Sequence, residues 1–379
     1  MNDPLFSGNI YLLYTFDVGD DVNLGMIKAS KQLHVYQRSW PKHFKHYHVP
    51  LCVQLDHPVN PSADHNTQEN PHTSHNIHNN KNTDNSTKNQ CFRINIHHFG
   101  ALSFIYKINF SGTLTELKHR VSTLDQEYQN KSLSTELALF EKIKDYVVQP
   151  KFFQHRASYV KITITPQPEK FSSKVLIEKY GSTIASALRF ETTTLSDFQI
   201  KEILESTTGY YQDDLVIIDT EAAFVYDTDS EELLDFFEQA LVQQLELQYF
   251  DKLLDKKLDA VYERAVHIKS LKNYLPFIGT IYDPLSELSK LKVDISVITE
   301  RLNNSIRLAG EPYYSRIYQL LTEKFELELW QQSIEKKLHI VRDVLSIYQN
   351  KINAIREDIL SVLVIFLIMI EVLVAFIRH

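Results

Sequence analysis

Short apolar runs bounded by turn residues recur through the first 230 residues and predict β-strands. They fall at residues 10–16, 49–55, 92–96, 101–110 and 159–164, with a strand pair within 214–227. His97, His98, Phe99 and Gly100 separate two of these runs and are typical of a hairpin turn. Helical patterns at 22–32, 113–129 and 133–148 lie between the strands. The N-terminal part of the chain is therefore predicted to be α+β.

From residue 229 onward, apolar residues repeat every three or four positions, a pattern that predicts long helices. Asp229 and Glu232 stand at capping-box spacing before the first helix. Asp283 followed by Pro284 predicts the start of a second helix, because proline is favoured at the first helical position. A third helix is predicted to begin at Pro312 and to run to the C terminus, since no breaker interrupts it.

The last predicted helix ends in a run of 19 residues, Ile359 to Ile377, of which 15 are Leu, Ile, Val or Phe. A helix of that length spans about 28 Å, close to the roughly 30 Å hydrocarbon core of a bilayer. One carboxylate, Glu371, costs about 3 kcal/mol in the bilayer, which does not cancel the apolar gain. The run, with Phe366 and Ile370 near its middle, is thus predicted to be a membrane anchor. A buried core helix is the alternative, although core helices seldom stay apolar on every face.

A heptad pattern precedes this anchor, with apolar residues at alternating spacings of four and three. It predicts a coiled-coil seam that either pairs two chains or packs against other helices of the same chain. The seam residues are Ile334, Leu338, Val341, Leu345, Tyr348, Ile352 and Ile355, and the repeat continues into Ile359. Counted on the same repeat, Glu371 lies opposite the seam. There it would either bond to a neighbouring membrane helix or reach the far interface.

Composition changes abruptly at residues 56–90, which are rich in Asn, His, Thr, Ser and Pro. Such a segment cannot bury enough apolar area to offset its ordering entropy, so we expect a disordered insertion there. The predicted organisation is an N-terminal α+β segment (1–55), the insertion (56–90), an α+β domain (91–228), a helical or coiled-coil stalk (229–358) and a transmembrane anchor (359–377).

Charge argues against direct binding of nucleic acid, because the net charge of -8 provides no surplus of Lys and Arg for phosphates. Residues 201–260 contain nine Asp and seven Glu but four Lys, so this acidic surface is expected to meet a basic partner. Cys52 and Cys91 are the two cysteines, which suits a reducing compartment. Residues 1–19 show no secretory signal pattern. The soluble part is therefore expected in the cytoplasm, on a bacterial inner membrane or an organelle inner membrane.

Two sets of spaced histidines have a composition that can bind zinc or nickel. These are His43, His46 and His48, and His72, His75 and His78. They lie in or beside the low-complexity insertion, where no scaffold fixes their geometry. We therefore expect these histidines to bind metal adventitiously and not to form a specific metal site.

A cluster of carboxylates surrounds the predicted strand pair and could hold Mg²⁺ or Ca²⁺. Its members are Asp213, Asp214, Asp219, Glu221, Asp227 and Asp229. Their spacing matches no known ligand loop, so turn and capping roles are favoured. The chain contains no GxSxG, HExxH or CxxC motif and has nine glycines, without a phosphate-binding loop. No cofactor or catalytic residue is predicted.

Residues 99–104 contain a glycine followed by an apolar strand, residues 244–247 are helical, and the apolar run 367–372 ends in Glu371 and Val372. These three stretches resemble the Rmd/Sif/YagE family, whose founding members are named for meiotic nuclear division. The tryptophan that follows the glycine in that family and its Pro-Asp-Phe-Phe-Trp stretch are missing, and residues 311–314 are the nearest counterpart of the latter.

The resemblance implies an α+β domain with long helices, a C-terminal hydrophobic helix, membrane attachment and a scaffolding role without assigned catalytic residues. It also implies a link to organellar translation, through the family's mitochondrial member. Glu371 alone carries over as a site residue, as part of the anchor motif.

These patterns predict a tail-anchored scaffold or adaptor that self-associates through its stalk and presents the α+β domain to a cytoplasmic protein partner. The bilayer and a second copy of the chain are the other expected partners. Two alternatives stay open: a metal-dependent enzyme that uses carboxylates near Asp214 and Asp219, and a protein that attaches ribosomes or RNA to a membrane.

Overall fold

The computed structural model describes residues 3–36, 38, 49–54, 91–151, 156–166, 171–228, 231–267, 289–293, 295–297, 300 and 311–378. The insertion predicted at 56–90, both histidine sets and Asp229 lie outside the described residues. The chain divides into two compact units. The first is Met1–Glu246 with Asn304–Leu327, and the second is Leu247–Asn303 with Glu328–His379.

A mixed β-sheet forms the centre of the first unit, with nine strands among the described residues. The strands are β1 (Phe6–Asp17), β2 (His34–Tyr36), β3 (Leu51–Gln54), β4 (Cys91–Ile96), β5 (Ala101–Gly112), β6 (Arg156–Thr165), β7 (Thr207–Thr208), β8 (Leu215–Ile218) and β9 (Ala222–Tyr226). Their order across the sheet is β2-β3-β4-β5-β1-β6-β9-β8-β7. Neighbouring strands are antiparallel except β6 and β9, which are parallel.

Strand β1 lies in the middle of this sheet, paired with β5 along one edge and with β6 along the other. Residues before the insertion and residues after it therefore belong to one sheet. The sequence-based division into segments 1–55 and 91–228 separates parts of the chain that fold together. Sequence patterning does not show this, because strand order depends on pairing between distant residues.

Helices cover one face of the sheet. They are α2 (Leu114–Ile143), α3 (Ser173–Leu188) and α4 (Asp197–Glu205), while the short α1 (Leu24–Ser30) follows β1. Their apolar faces form one core with alternate residues of β1, including Ile10, Leu12 and Phe16. The sequence predicted two helices, at 113–129 and 133–148, where the structure has the single helix α2. The helix continues between residues 129 and 133 because these residues include neither glycine nor proline. It did not predict α3 or α4.

The opposite face is covered by the beginning of α5 (Glu231–His267) and by α6 (Pro312–Lys324). The Phe237 ring stacks on Tyr159 of β6 with 5.5 Å between centroids. Phe325, just after α6, contacts the same tyrosine at 4.9 Å. The sheet of the first unit is therefore buried between two helical layers. For this reason its central strands contain apolar residues on both faces.

The helix predicted from Pro312 to the C terminus is interrupted in the structure, so that prediction is wrong. A new helix, α7 (Leu327–Ile377), begins after Glu326, whose φ of 54° lies in the left-handed region. Phe325 is 1% exposed and packs on Tyr159. Burial of that ring accounts for the break, which no glycine or proline marks.

The second unit contains the remainder of α5, helical residues at 289–293 and 295–297, and α7 from Glu328. Lys337 on α7 lies 2.7 Å from carboxylate oxygens of both Asp251 and Asp255 on α5. Ser333 donates to Asp251 at 2.7 Å. Within this unit α7 therefore packs against α5 of the same chain.

The predicted seam lies along this part of α7. Ile334 and Val341 are buried within a single chain, and Leu338 and Leu345 are half-buried. The side chains of Tyr348, Ile352 and Ile355 lie outside the described part of the structure. Burial of the first seam residues in one chain favours packing within the chain over pairing between chains at that end.

Candidate functional site: an apolar helix and a buried ionic network

The end of α7, Glu357–Ile377, is 21 residues long and apolar enough to cross a membrane. At 1.5 Å per residue it spans about 31 Å, which matches the hydrocarbon thickness of a bilayer. Its side chains are exposed on every face from residue 360 onward, with Phe366 52% and Ile370 42% exposed. A core helix of a soluble protein would bury one face against the rest of the chain. The helix Glu357–Ile377 buries no face in this way, so its apolar surface must be covered by other molecules.

Two polar side chains interrupt that surface. The Ser361 hydroxyl donates to the Glu357 carbonyl at 2.9 Å, so it is satisfied within the helix. Between Asp358 and Arg378 the sequence has one ionisable residue, Glu371, and its side chain is exposed. A carboxylate in that position is costly in a bilayer unless it is bonded or reaches an interface.

The carboxylates predicted as a possible metal site have other partners in the structure. Asp219 is fully buried and forms ion pairs with Arg189 and with Lys324, the latter at 3.5 Å. Asp214 accepts hydrogen bonds from the backbone N–H groups of Tyr210 and Tyr211, both at 2.9 Å. Within the described part of the chain, no three His, Cys, Asp or Glu side chains are arranged to hold a metal ion.

A buried ionic network links β4 to α5, and the sequence did not predict it. Arg93 of β4 is 4% exposed, and its guanidinium donates to the Asp235 carboxylate at 2.5 Å. Arg38 adds two hydrogen bonds to the same carboxylate, at 2.6 and 3.0 Å. Two arginines therefore bind the carboxylate of Asp235, a residue that is 2% exposed.

One helical turn later, Glu238 accepts hydrogen bonds from Asn95 at 2.6 Å and from the hydroxyl of Ser103. His97 Nε2 lies 3.5 Å from the same carboxylate. Burial alone would raise the pKa of Glu238, but hydrogen bonds from His97 and Ser103 and the charge of Arg93 lower it to about 2. Glu238 is thus held as a carboxylate inside the fold.

Ser103, His97 and Glu238 resemble a nucleophilic triad in composition, but their geometry does not fit one. In a triad the acid bonds to one ring nitrogen and the serine to the other. Here His97 Nε2 faces both partners, at 3.3 Å from Ser103 Oγ and 3.5 Å from Glu238. Ser103 is 1% exposed, so a substrate cannot reach it. The network therefore fastens α5 to the sheet and does not form an active site.

The signal for this network is present in the sequence. Arg93 and Asn95 are polar residues within a short strand, and Asp235 and Glu238 are three positions apart within an apolar helix. Polar residues on faces that should be buried indicate buried pairing. Which acid meets which partner could not be inferred, because the partners lie 135 residues or more apart.

A central strand also buries a lysine. Lys161 of β6 is fully buried, and burial lowers its pKa to about 7 although nearby Asp235 acts in the opposite direction. Its Nζ atom lies 5.4 Å from the centre of the Tyr11 ring. Lys107 Nζ lies over the same ring at 5.6 Å. The Tyr11 ring on β1 is thus close to a lysine from each neighbouring strand.

Together, these features define a mixed α/β sheet protein that continues into helices and ends in one helix able to span a membrane. Residues 7–232 match the family described as "Uncharacterized protein MJ0711, N-terminal domain", and the chain belongs to this family. The matched range extends from β1 to the first turn of α5 and so includes every strand of the described sheet.

The chain is similar to the "Uncharacterized protein MJ0711" of Methanocaldococcus jannaschii. The two are 22% identical over 271 residues, which cover 68% of this chain and 79% of the relative. No solved structure matches the chain. The resemblance to the Rmd/Sif/YagE family stays a prediction.

Proposed function

We propose that this protein is a membrane-anchored scaffold or adaptor. The C-terminal helix holds it in the bilayer, the part of the predicted stalk (229–358) that lies outside the sheet unit mediates self-association, and the α/β unit is presented to a protein partner. One observation carries the proposal: the 21-residue apolar helix Glu357–Ile377 is exposed on all faces and matches the thickness of a bilayer.

The polar residues of the sheet unit support a binding role over a catalytic one. Two buried carboxylates are bound by arginines, Asp235 by Arg93 and Asp219 by Arg189. Groups used in this way are unavailable to a substrate. The sheet unit would therefore act through its surface.

The proposed location is the cytoplasmic face of a bacterial inner membrane or an organelle inner membrane. Cys52 and Cys91 are both free thiols, which suits a reducing compartment.

Fractionation of cells that express the full chain tests the anchor. Removing residues 359–379 is expected to move the protein from alkali-washed membranes to the soluble fraction. Leu367→Lys combined with Ile370→Lys should have the same effect, because each lysine near mid-membrane costs about 2.5–3.5 kcal/mol. Ile340→Lys with Ile347→Lys is the matched control on the exposed, preceding part of α7 and should leave the protein in membranes. A truncated chain that still resists alkaline washing would refute the anchor.

The two alternatives that the sequence left open, a metal-dependent enzyme and a protein that attaches ribosomes or RNA, stay predictions. A metal-dependent enzyme would need Asp214 and Asp219, yet their contacts with backbone amides and with Arg189 account for both carboxylates. Bound divalent metal in the purified protein, lost in Asp214→Asn and Asp219→Asn, would favour that reading. Direct attachment of ribosomes or RNA would require a basic surface, and the net charge of -8 does not favour one.

A further inference from the structure

A turn between β7 and β8 presents two adjacent tyrosines to solvent at the edge of the sheet. Residues Gly209–Asp214, here named the tyrosine turn, connect Thr208 to Leu215. Tyr210 is 61% exposed and Tyr211 is 73% exposed. Large aromatic residues that remain exposed side by side are a common feature of protein interfaces.

The turn is held rigidly although its aromatic side chains are exposed. The Asp214 carboxylate accepts both tyrosine N–H groups at 2.9 Å. Ser173 at the start of α3 donates its N–H and its hydroxyl to the Gln212 carbonyl, both at 3.2 Å. A side chain at Gly209 would approach Asp214 Oδ1 to 2.6 Å, so the turn closes tightly around that carboxylate.

The tyrosine rings are also ordered by contacts with one another. Tyr210 meets Tyr211 edge to face, with 4.7 Å between centroids. Tyr210 also contacts Tyr313 of α6, with 5.5 Å between centroids. A surface that is already ordered loses little side-chain entropy on binding, so more of its contact energy appears as affinity.

The surroundings of the turn are acidic. Between residues 197 and 214 the chain has five acidic residues and one basic residue, Lys201. Glu202 and Glu205 are exposed on α4 just before the turn, and Asp213 is exposed within it. Asp227 and Asp214 are also close enough to Tyr313 to raise its pKa, after burial as the main cause. The turn therefore combines aromatic faces with negative charge.

We propose that the tyrosine turn docks an arginine- or lysine-rich segment of a protein partner. Cationic side chains would lie over the exposed ring faces of Tyr210 and Tyr211, and the neighbouring carboxylates would pair with the same charges. This inference rests on the proposed function, because it supplies the surface through which a membrane-held adaptor binds. The expected partner is a cationic protein segment.

Fluorescence anisotropy with a defined probe tests the docking surface. The probe is a fluorescein-labelled peptide of four Gly-Arg repeats, titrated with full-length protein in a neutral detergent. Tyr210→Ala with Tyr211→Ala is expected to weaken binding about fivefold or more, because both ring faces are removed. Phe198→Ala is the matched control, since Phe198 is 74% exposed on α4 but lies outside the turn. It should change the affinity by less than about twofold.

A second pair of variants tests the charges. Glu202→Gln with Glu205→Gln should weaken binding and reduce its dependence on salt, because two nearby carboxylates are neutralised. Glu127→Gln with Glu141→Gln on α2, at sites 47% and 62% exposed, removes the same charge elsewhere and should leave affinity unchanged. A benzophenone group in the peptide should attach to the tyrosine turn, as peptide mapping would show.

Three results would overturn the proposal. They are equal binding by the Tyr210/Tyr211 variant and the original protein, equal binding of a Gly-Glu peptide, and attachment of the benzophenone spread over the acidic surface. The titration uses detergent-solubilised protein, so its outcome does not depend on whether α7 spans a bilayer. Failure here is therefore distinguishable from failure of the membrane anchor.

Discussion

Arg93 on β4 and Asp235 on α5 form an ion pair with 2.5 Å between nitrogen and oxygen, in which 4% and 1% of the side chains are exposed. The pair joins the first strand after the predicted insertion to the helix that follows the last strand. Because Arg38 binds the same carboxylate, removing Asp235 would leave two guanidinium groups without their shared acid. The pair therefore matters for the attachment of α5 to the sheet.

Asp235→Ala is expected to destabilise the sheet unit by about 3–5 kcal/mol, because a buried charge loses its partner. Urea unfolding followed by circular dichroism would measure the loss, and hydrogen exchange would show it in β4 and α5. Glu127→Ala is the control, since its pair with Arg120 is about half exposed on both sides. It should cost no more than about 1 kcal/mol. Equal midpoints for the two variants would contradict a structural role for Asp235.

Glu136 makes stability depend on pH. It is fully buried in the middle of α2, and burial raises its pKa from 4.5 to about 9, against the opposing charge of Arg156. Because the folded pKa lies above the unfolded value, the folded state takes up a proton. Its contribution to stability is complete below pH 4.5 and is lost as pH rises through about 9, at up to about 1.4 kcal/mol per pH unit.

Glu136→Gln is therefore expected to flatten the decline of unfolding free energy between about pH 5 and pH 9, and to stabilise the protein at pH 8. Urea midpoints measured across this range would show the change of slope. Glu127→Gln removes an exposed carboxyl from the same helix and should leave the slope as it is. A parallel decline in the Glu136→Gln protein would show that another group causes the dependence.

Gly100 closes the hairpin between β4 and β5. Its φ is 104°, and a Cβ atom there would lie 1.8 Å from the Gly19 carbonyl oxygen. Gly100→Ala is expected to cost more than about 2 kcal/mol, because left-handed strain and a backbone clash act together. Gly25→Ala on α1 is the matched control, since its nearest contact would be Asn23 Oδ1 at 3.4 Å. It should change stability by less than about 1 kcal/mol, as thermal unfolding would show.

Glu371 tests whether the anchor also mediates association. Glu371→Leu is expected to keep the protein in alkali-washed membranes, because it removes the carboxylate from an apolar run. The same change should reduce the yield of cross-linked oligomers if that carboxylate bonds to a neighbouring membrane helix. Val372→Leu, one position further along, is the control for altered packing. Unchanged membrane retention and unchanged oligomers would indicate instead that the side chain reaches the far interface, about 9 Å away.

Much of the local structure was predictable. The apolar runs predicted most of the strands, the turn at Gly100 is confirmed, and Pro312 begins α6 as expected. These features depend on residues close together in the chain. The helices α3 and α4 were missed even though Ser172 and Ser196 cap them. A glycine, Gly181, lies within α3, and α4 is a short helix of nine residues.

The candidate site was only partly predictable. The sequence identified Asp214 and Asp219 as acidic residues near a strand pair, but their partners come from other elements. Asp219 bonds to Arg189 and to Lys324, which is 105 residues away. A charged residue in a sequence is compatible with a ligand, a cap or an ion pair. Only the folded neighbours decide among these roles.

The sequence by itself determined the membrane-length helix at the C terminus, because transfer of a continuous apolar run into lipid depends on composition and length and needs no particular neighbour. Tertiary structure decided the central position of β1, the break at Glu326 and the pairing of Arg93 with Asp235. Each of these depends on which distant surfaces meet, so the energy that sets it comes from packing and buried charge pairs and not from local propensity.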